Sequence, residues 1–299
     1  MQAQSPLTDV VCIGQAVIDC ITRGREADAH RQNVYRAERI YLGTGGDAIN
    51  ESFNLAGMGY HVRLVCGLGE DLAGSILLRE AEKRGIDLSH VRIVEGMATP
   101  VANLIVSKDG SRYSINSAAT MLEGYLPAEE DVTGAKIVSF ASLFRAPLDQ
   151  KEVILRLIRA AHDSGAIVCC DTKLPTFRQV MPEELKEIWP LVDYIFPNER
   201  EAAFYTGETE YLEMARAIRG WGVKNVIVKT GPDGCCACLQ EGEFVLPALP
   251  VVPVDTTGCG DSFVSGFLSG LLQKKSGREC LDNALQCAAN CAQHMGGTL

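Results

Sequence analysis

No apolar run in this chain approaches the ~20 residues that a membrane-spanning helix requires. Met1 to Asp9 carries neither the basic nor the apolar stretch of a secretion signal, so a soluble cytoplasmic protein is expected. Positive charge is also in short supply: 28 Lys and Arg stand against 38 Asp and Glu, a net charge of -10. A nucleic acid or an anionic membrane surface needs a basic face, so neither is a partner, and a small molecule is expected instead. A second C-x-x-C is missing as well. Cys235 and Cys238 form the one at hand, and the apolar run Cys235-Cys236-Ala237-Cys238-Leu239 reads as a strand that would turn them to opposite faces. Cys280, Cys287 and Cys291 join Ala284 on one helical stripe, so the twelve cysteines are expected to be structural thiols of a reducing compartment. No Gly/Ser-rich or Pro-rich linker and no internal repeat divides the chain, and 299 residues at 46% hydrophobic content suffice for one domain with a sizeable core.

What is present concentrates in Val254-Asp255-Thr256-Thr257-Gly258-Cys259-Gly260-Asp261-Ser262-Phe263. An extended, Pro-containing approach ends there and a helix of small apolar residues begins. Gly258, Cys259 and Gly260 therefore lie at a helix N-terminus, where unpaired amides and the positive end of the dipole attract an anion. Asp261 at the same point would be repelled by phosphate unless its task were to accept a proton from an incoming hydroxyl. Elsewhere, an acid, Asp19, follows a short buried strand from Asp9 to Ile13. Gly45-Gly46 leads into a helix carrying Asn50, whose amide both donates to and accepts from hydroxyls. Asn198 and Glu201 stand three apart at a helix start, as a cap with a first-turn acid does. From Lys136 onward strands and helices alternate, which indicates a parallel sheet covered on both faces. The runs Thr99 to Ser107 and Ser111 to Ser117 flank Lys108-Asp109-Gly110 as a hairpin.

DTTGCGD resembles the C-terminal signature D-T-x-G-A-G-D of the ribokinase-like (PfkB) carbohydrate kinase family, with Cys259 where Ala is usual. The likeness extends in order through Gly45-Gly46 and Asn50, Met58-Gly59, the Gly69 to Gly74 stretch, the N-x-x-E of Asn198 to Glu201, and Lys229-Thr230-Gly231. It implies a ribokinase-like three-layer α/β/α fold with a mostly parallel central sheet and a small β-sheet lid, about residues 15–43 and 97–117. It further implies ATP-dependent phosphorylation of a sugar hydroxymethyl group. Asp261 would be the base, the Gly258, Cys259 and Gly260 amides the anion hole, and Asp19, Gly45, Gly46 and Asn50 the sugar site. Lys229, Gly231 and Lys173 would face the nucleotide. Asn198 and Glu201 would organise Mg2+ through water, and Asp255 and Thr257 match a monovalent-cation site, with K+ activation left open by the ending at Gly296 to Leu299. Relatives also suggest a homodimer through the lid.

Three alternatives stay open on the sequence. A nucleoside acceptor would use a lid aromatic, with Tyr113 the candidate. A phosphorylated sugar would need Lys173 and Arg145. A catalytically silent sugar-binding regulator would have no need of Asp261. Asn103 and Asn116 are further candidate contacts, and Asp47 stands where ribokinases usually have Lys.

Overall fold

The structure, a computed structural model, describes residues 8–27, 34–107, 112–118, 122–294 and 296. The chain opens with β1 (Thr8–Ile13), β2 (Val17–Ala27), β3 (Tyr35–Arg36) and β4 (Arg39–Gly45) before α1 (Asp47–Gly57). β5 (Val62–Val65) and β6 (Gly67–Gly69) lead to α2 (Leu72–Glu82), and β7 (Arg92–Val94), β8 (Val101–Ser107) and β9 (Arg112–Asn116) follow. The alternation expected from Lys136 then sets in with β10 (Ala135–Leu143), α3 (Lys151–Asp163), β11 (Ile167–Thr172), β12 (Tyr194–Ile195), α4 (Glu199–Thr206) and α5 (Tyr211–Arg219). β13 (Asn225–Lys229), the hairpin of β14 (Cys235–Leu239) and β15 (Gly242–Leu246), α6 (Cys259–Leu272) and α7 (Gly277–Ala292) complete it.

Eight strands form the main sheet in the order β15-β14-β13-β12-β11-β10-β1-β5. Pairing is parallel from β5 through β13, and the β13–β14–β15 edge is antiparallel. β1 shows why a central parallel strand reads as an unbroken apolar run: Val10 and Cys12 enter one core, Val11 and Ile13 the other. Ile49, Phe53, Leu77, Phe263, Phe267 and Leu281 of α1, α2, α6 and α7 close the first face. Ile154, Leu157 and Ile158 of α3, with Met214 and Ile218 of α5, close the second. Each such fully buried side chain stabilises the fold by about 1.5–3 kcal/mol. The expected three-layer α/β/α arrangement follows. Cys235 and Cys238 fall in opposite cores, as their spacing on a strand requires, and all twelve cysteines are free.

From β1 the chain first crosses to β5 on one side and later to β10 on the other. Strand order therefore reverses between β1 and β10, and a crevice opens at their carboxyl ends. Over it lies a second sheet of β3-β2-β8-β9 with β4 paired to β2, the expected lid. β8 and β9 are antiparallel, while the turn expected at Lys108-Asp109-Gly110 lies outside the described residues. Registers sort the lid residues by face. Gly43, Asp19, Ala102 and Asn116 share one row and Tyr41, Ile21, Leu104 and Ser114 the next on that face. Leu42, Cys20, Asn103 and Ile115, with Ile40, Thr22, Ile105 and Tyr113, take the other face.

Candidate active site

Every strand bordering the crevice delivers a polar group at its carboxyl end. β1 ends at Gly14, where an added Cβ would lie 2.7 Å from the Ser142 Oγ near the end of β10. That hydroxyl accepts from the Gln15 N–H at 3.1 Å and donates to Asp47 Oδ2 at 2.9 Å. β11 supplies Asp171 and Thr172, and β13 supplies Lys229; Asn198 follows β12.

Asp261 enters this crevice from the first turn of α6. Gly258, the N-cap, has φ 71, a left-handed conformation that glycine adopts without a side-chain penalty. The carboxyl is 6% exposed, and Asn50 Nδ2 donates to its Oδ2 at 2.7 Å. One helical turn on, Asn54 Nδ2 donates to Ser262 Oγ at 3.0 Å, so α1 and α6 are clasped at two successive steps. Burial pushes Asp261 up to about 8, with Asp47 adding to the rise and Lys173 and the Asn50 bond opposing it. Asn50 Oδ1 is buried beside it and has no hydrogen-bond partner among the described residues. An unpaired buried amide oxygen costs about 1–3 kcal/mol, which a substrate hydroxyl would relieve.

The acceptor side is built from close approaches. A Cβ on Gly45 would fall 2.1 Å from Asp19 Oδ2, and one on Gly46 2.6 Å from Gln15 O, so only glycines fit. Asp19 is pushed up to about 6 by burial first, then by Asp47 and Asp255. Among the other lid candidates, Asn116 shares Asp19's face, whereas Asn103 is on the outer one. Tyr113 is also outward, beneath the Arg25 guanidinium, so the aromatic on the crevice side is Tyr41. Alternation along a strand could have assigned these faces from sequence only with the β2–β4–β8–β9 register known. Tyr41, Ile21, Leu104, Val254 and Asp255 line a cavity of about 230 Å³ between lid and catalytic loop, and Arg23 Nη2 donates across it to Val254 O at 3.2 Å.

On the phosphate side, the Gly260 and Asp261 amides precede the first intrahelical acceptor of α6. Cys259 N–H, expected to join them, already donates to Thr256 O at 3.3 Å, a long bond that leaves it the least available of the set. Lys229 Nζ lies 3.6 Å from where a Cβ on Gly260 would be, so glycine there opens the helix end to an ammonium. The same Nζ donates to Asp171 Oδ1 at 2.6 Å. Gly231, at φ 56, begins the turn after β13 and brings no side chain toward the loop.

Lys173, expected at the nucleotide, is instead committed to carboxylates: its Nζ lies 3.0 Å from Asp47 Oδ1 and 3.0 Å from Asp171 Oδ2. Burial opposes its charge, but Asp171 and Asp47 overcome this and hold its pKa well above the ordinary lysine value. Arg145 Nε donates to Leu174 O at 3.1 Å, so neither cation named for a phosphorylated acceptor is uncommitted. Asp47 is the partner that sequence reasoning missed; its signal was the replacement of the usual Lys, which inverts the charge pairing at this point.

Asn198 and Glu201 form a complete capping box: Asn198 N–H donates to Glu201 Oε2 at 2.9 Å and Glu201 N–H to Asn198 Oδ1 at 2.9 Å. Thr172 Oγ1 also donates to Glu201 Oε2, at 3.1 Å. The cap and the oxygen-rich site coexist, and such hard donors suit hydrated Mg2+. Among the described residues no group of three or more His, Cys, Asp or Glu is arranged to hold a metal ion. Asp255 Oδ1 accepts from Thr257 N–H at 3.0 Å and Oγ1 at 2.8 Å, a closed turn at the cation positions. Glu51, fully buried on α1, takes the Ser139 hydroxyl at 2.6 Å, and burial pushes its pKa well up.

The sequence profile of the pfkB family carbohydrate kinases matches residues 7–299. A cytidine kinase of Thermococcus kodakarensis is 29% identical over 298 residues, covering 97% of this chain and 98% of its own. An ATP-dependent ribose-1-phosphate kinase of Halopiger xanaduensis is 30% identical over 253 residues, 84% of this chain and 81% of its own. Among solved structures, Arabidopsis thaliana ribokinase complexed with ribose and ATP superposes with a TM-score of 0.81 at 27% identity, covering 97% of this chain and 94% of that one. No described helix is long and apolar enough to cross a membrane.

Proposed function

This chain belongs to the pfkB family of carbohydrate kinases and is an ATP-dependent kinase, and from that premise we propose how its own residues carry the transfer to a sugar hydroxymethyl group. The carrying observation is Asp261: a buried carboxyl with a pKa near 8, oriented by Asn50 and placed at a helix N-terminus. Asp19 and Asn50 hold the acceptor's hydroxyls while Gly45 and Gly46 let it reach the backbone. Asp261 takes the proton from the attacking hydroxymethyl oxygen. The Gly260 and Asp261 amides at the start of α6 and Lys229 stabilise charge on the phosphoryl group in transit, with Gly231 in the turn that follows β13. Lys173 acts one layer back by pairing with both Asp47 and Asp171, and its charge helps hold the Asp47 carboxyl below the ordinary carboxylate range.

Mg2+, when bound near Asn198 and Glu201, would neutralise the nucleotide's phosphate oxygens. A monovalent cation would sit at Asp255 and Thr257. The 15–43 and 97–117 segments serve as a lid that excludes water from the phosphoryl group, the whole forming one kinase domain. Twelve free thiols accord with a cytoplasmic setting.

A second reading, a nucleoside acceptor, has a specific observation in its favour. Beyond Asp19 the lid cavity becomes apolar at Ile21, Tyr41 and Leu104, and Tyr41 OH is buried without a partner among the described residues, which suits a base attached to the sugar. ADP release from Mg-ATP measured against ribose, fructose, 2-keto-3-deoxygluconate, tagatose 6-phosphate, cytidine, adenosine and inosine, with and without K+, separates the two. Turnover confined to nucleosides would replace the free-sugar reading, and silence with all seven would refute both.

The outer lid face carries Ile40, Leu42 and Ile115, which are 65%, 63% and 61% exposed. A second copy covering this face would make the expected homodimer. Sedimentation giving only monomer at micromolar concentration would refute it.

A further inference from the structure

α6 and α7 pack through small residues. A Cβ on Gly270 would strike Cys280, and one on Gly266 would lie 2.9 Å from the Ala284 Cα, so the two antiparallel helices meet closely at these levels. Seven residues beyond Gly266 toward the start of α6 is Cys259, and seven beyond Ala284 toward the end of α7 is Cys291. The helical register therefore sets these cysteines opposite each other where the two helices meet. Cys291 Sγ reaches Thr257 O at 3.5 Å, which fixes its sulfur beneath the phosphate turn. Cys291 is 1% exposed, whereas Cys259 reaches solvent at the crevice.

We propose that Cys259 and Cys291 are an oxidation site, and that a disulfide between them switches off phosphoryl transfer by pulling the anion hole out of place. The switching rests on the kinase reading above; the bond itself does not. Cys259 is the entry point because it is the more accessible of the two thiols. Its sulfur attacks a cyclic disulfide such as the dithiolane ring of oxidised lipoamide, opening the ring to a mixed disulfide. Cys291 then attacks Cys259 Sγ. The protein S–S bond forms, the ring S–S bond is broken, and dihydrolipoamide leaves carrying the two protons. The two sulfurs must approach to about 2.05 Å to join. Because Cys259 is the first residue of α6, that approach drags the 258–260 amides with it, and a displacement of about 1 Å at a reacting centre costs on the order of 10²-fold in rate.

The test treats the full-length enzyme with excess oxidised lipoamide, then measures ATP turnover and maps peptides without reduction. A linked peptide pair containing Cys259 and Cys291, turnover reduced about 10²-fold and full recovery with dithiothreitol are expected. Cys291→Ser should keep its turnover through the same treatment. Absence of the linked peptides would overturn the site, and linkage with unchanged turnover would overturn the switch. Equal inactivation of Cys291→Ser would assign the effect elsewhere. A reduced enzyme with no kinase activity at all would refute the functional reading, while the peptide map would still decide the bond.

Discussion

Replacing Asp261 by Asn removes the base and little else. The amide is isosteric, and its oxygen can still accept the 2.7 Å bond from Asn50 Nδ2, so the α1–α6 clasp survives. A positioned general base contributes typically 10²–10⁴-fold, so turnover should fall by at least about 10²-fold, or roughly 2.7 kcal/mol of barrier. The pH profile carries the sharper information. Asp261 stands near 8 because burial opposes its charge. It works only when deprotonated, so kcat/KM of the wild type should climb with pH, reach half its plateau near 8 and level off above it, and the residual activity of Asp261→Asn should lack that limb. Stability should move the opposite way. A carboxyl raised from 3.8 to about 8 binds a proton more tightly when folded, so it stabilises at low pH and loses that contribution as pH rises toward 8. The uncharged Asn variant should therefore melt above the wild type at pH 9, by about 2–4 °C per kcal/mol gained. Coupled ADP assays from pH 6 to 9, nucleotide binding and thermal melts measure all three. A variant within tenfold of wild-type turnover, or a wild-type profile flat between pH 6 and 8, would refute the assignment.

Lys173→Met should leave Asp47 and Asp171 buried without their common cation, costing about 3–5 kcal/mol in urea denaturation. Because Lys173 lowers Asp261's pKa, the pH limb of this variant should also shift above that of the wild type, and an unshifted limb would remove Lys173 from the electrostatics of the base. Gly45→Ala would force Asp19 away from a Cβ 2.1 Å from its carboxylate, so kcat/KM for the acceptor should drop about 10²-fold while ATP binding is unchanged; unchanged acceptor kinetics would exclude Asp19 from binding. Glu201→Gln should raise the Mg2+ concentration for half-maximal activity by about 10-fold or more, measured by Mg2+ titration at fixed ATP, and an unchanged requirement would leave the residue as a cap alone.

Much of this architecture was legible because it rests on local signals. Asp261 behind Gly258, Asn198 three before Glu201, and the apolar runs of β1, β10 and β11 each announce an element by spacing or composition. Gly45 lies against Asp19, and Asn50 against Asp261. What stayed hidden depends on partners distant in sequence. Lys173 reads as an ordinary cation after a strand until Asp47, more than a hundred residues earlier, is seen against it. Tyr113 and Tyr41 are equivalent aromatics in sequence; the β2–β4–β8–β9 registers turn one outward and the other in. Glu51 resembles a surface acid on α1, yet it is fully buried against Ser139 of β10. The Cys259 amide looked free in the motif, and the backbone of the Thr256 turn had already taken it.

The bond from Asn50 to Asp261 joins residues 211 positions apart. At a synthesis rate of about 5–20 residues per second, roughly 10–40 s separate the two on the ribosome. The order of emergence within that interval is protective. Asp47 leaves first; Asp171 and Lys173 come out together, so the second acid arrives with the cation that neutralises both. Lys229 precedes Asp261. No stage of synthesis therefore confronts the collapsing nascent chain with Asp47, Asp171 and Asp261 together and no lysine to meet them, and the base is added only after Lys173 and Lys229.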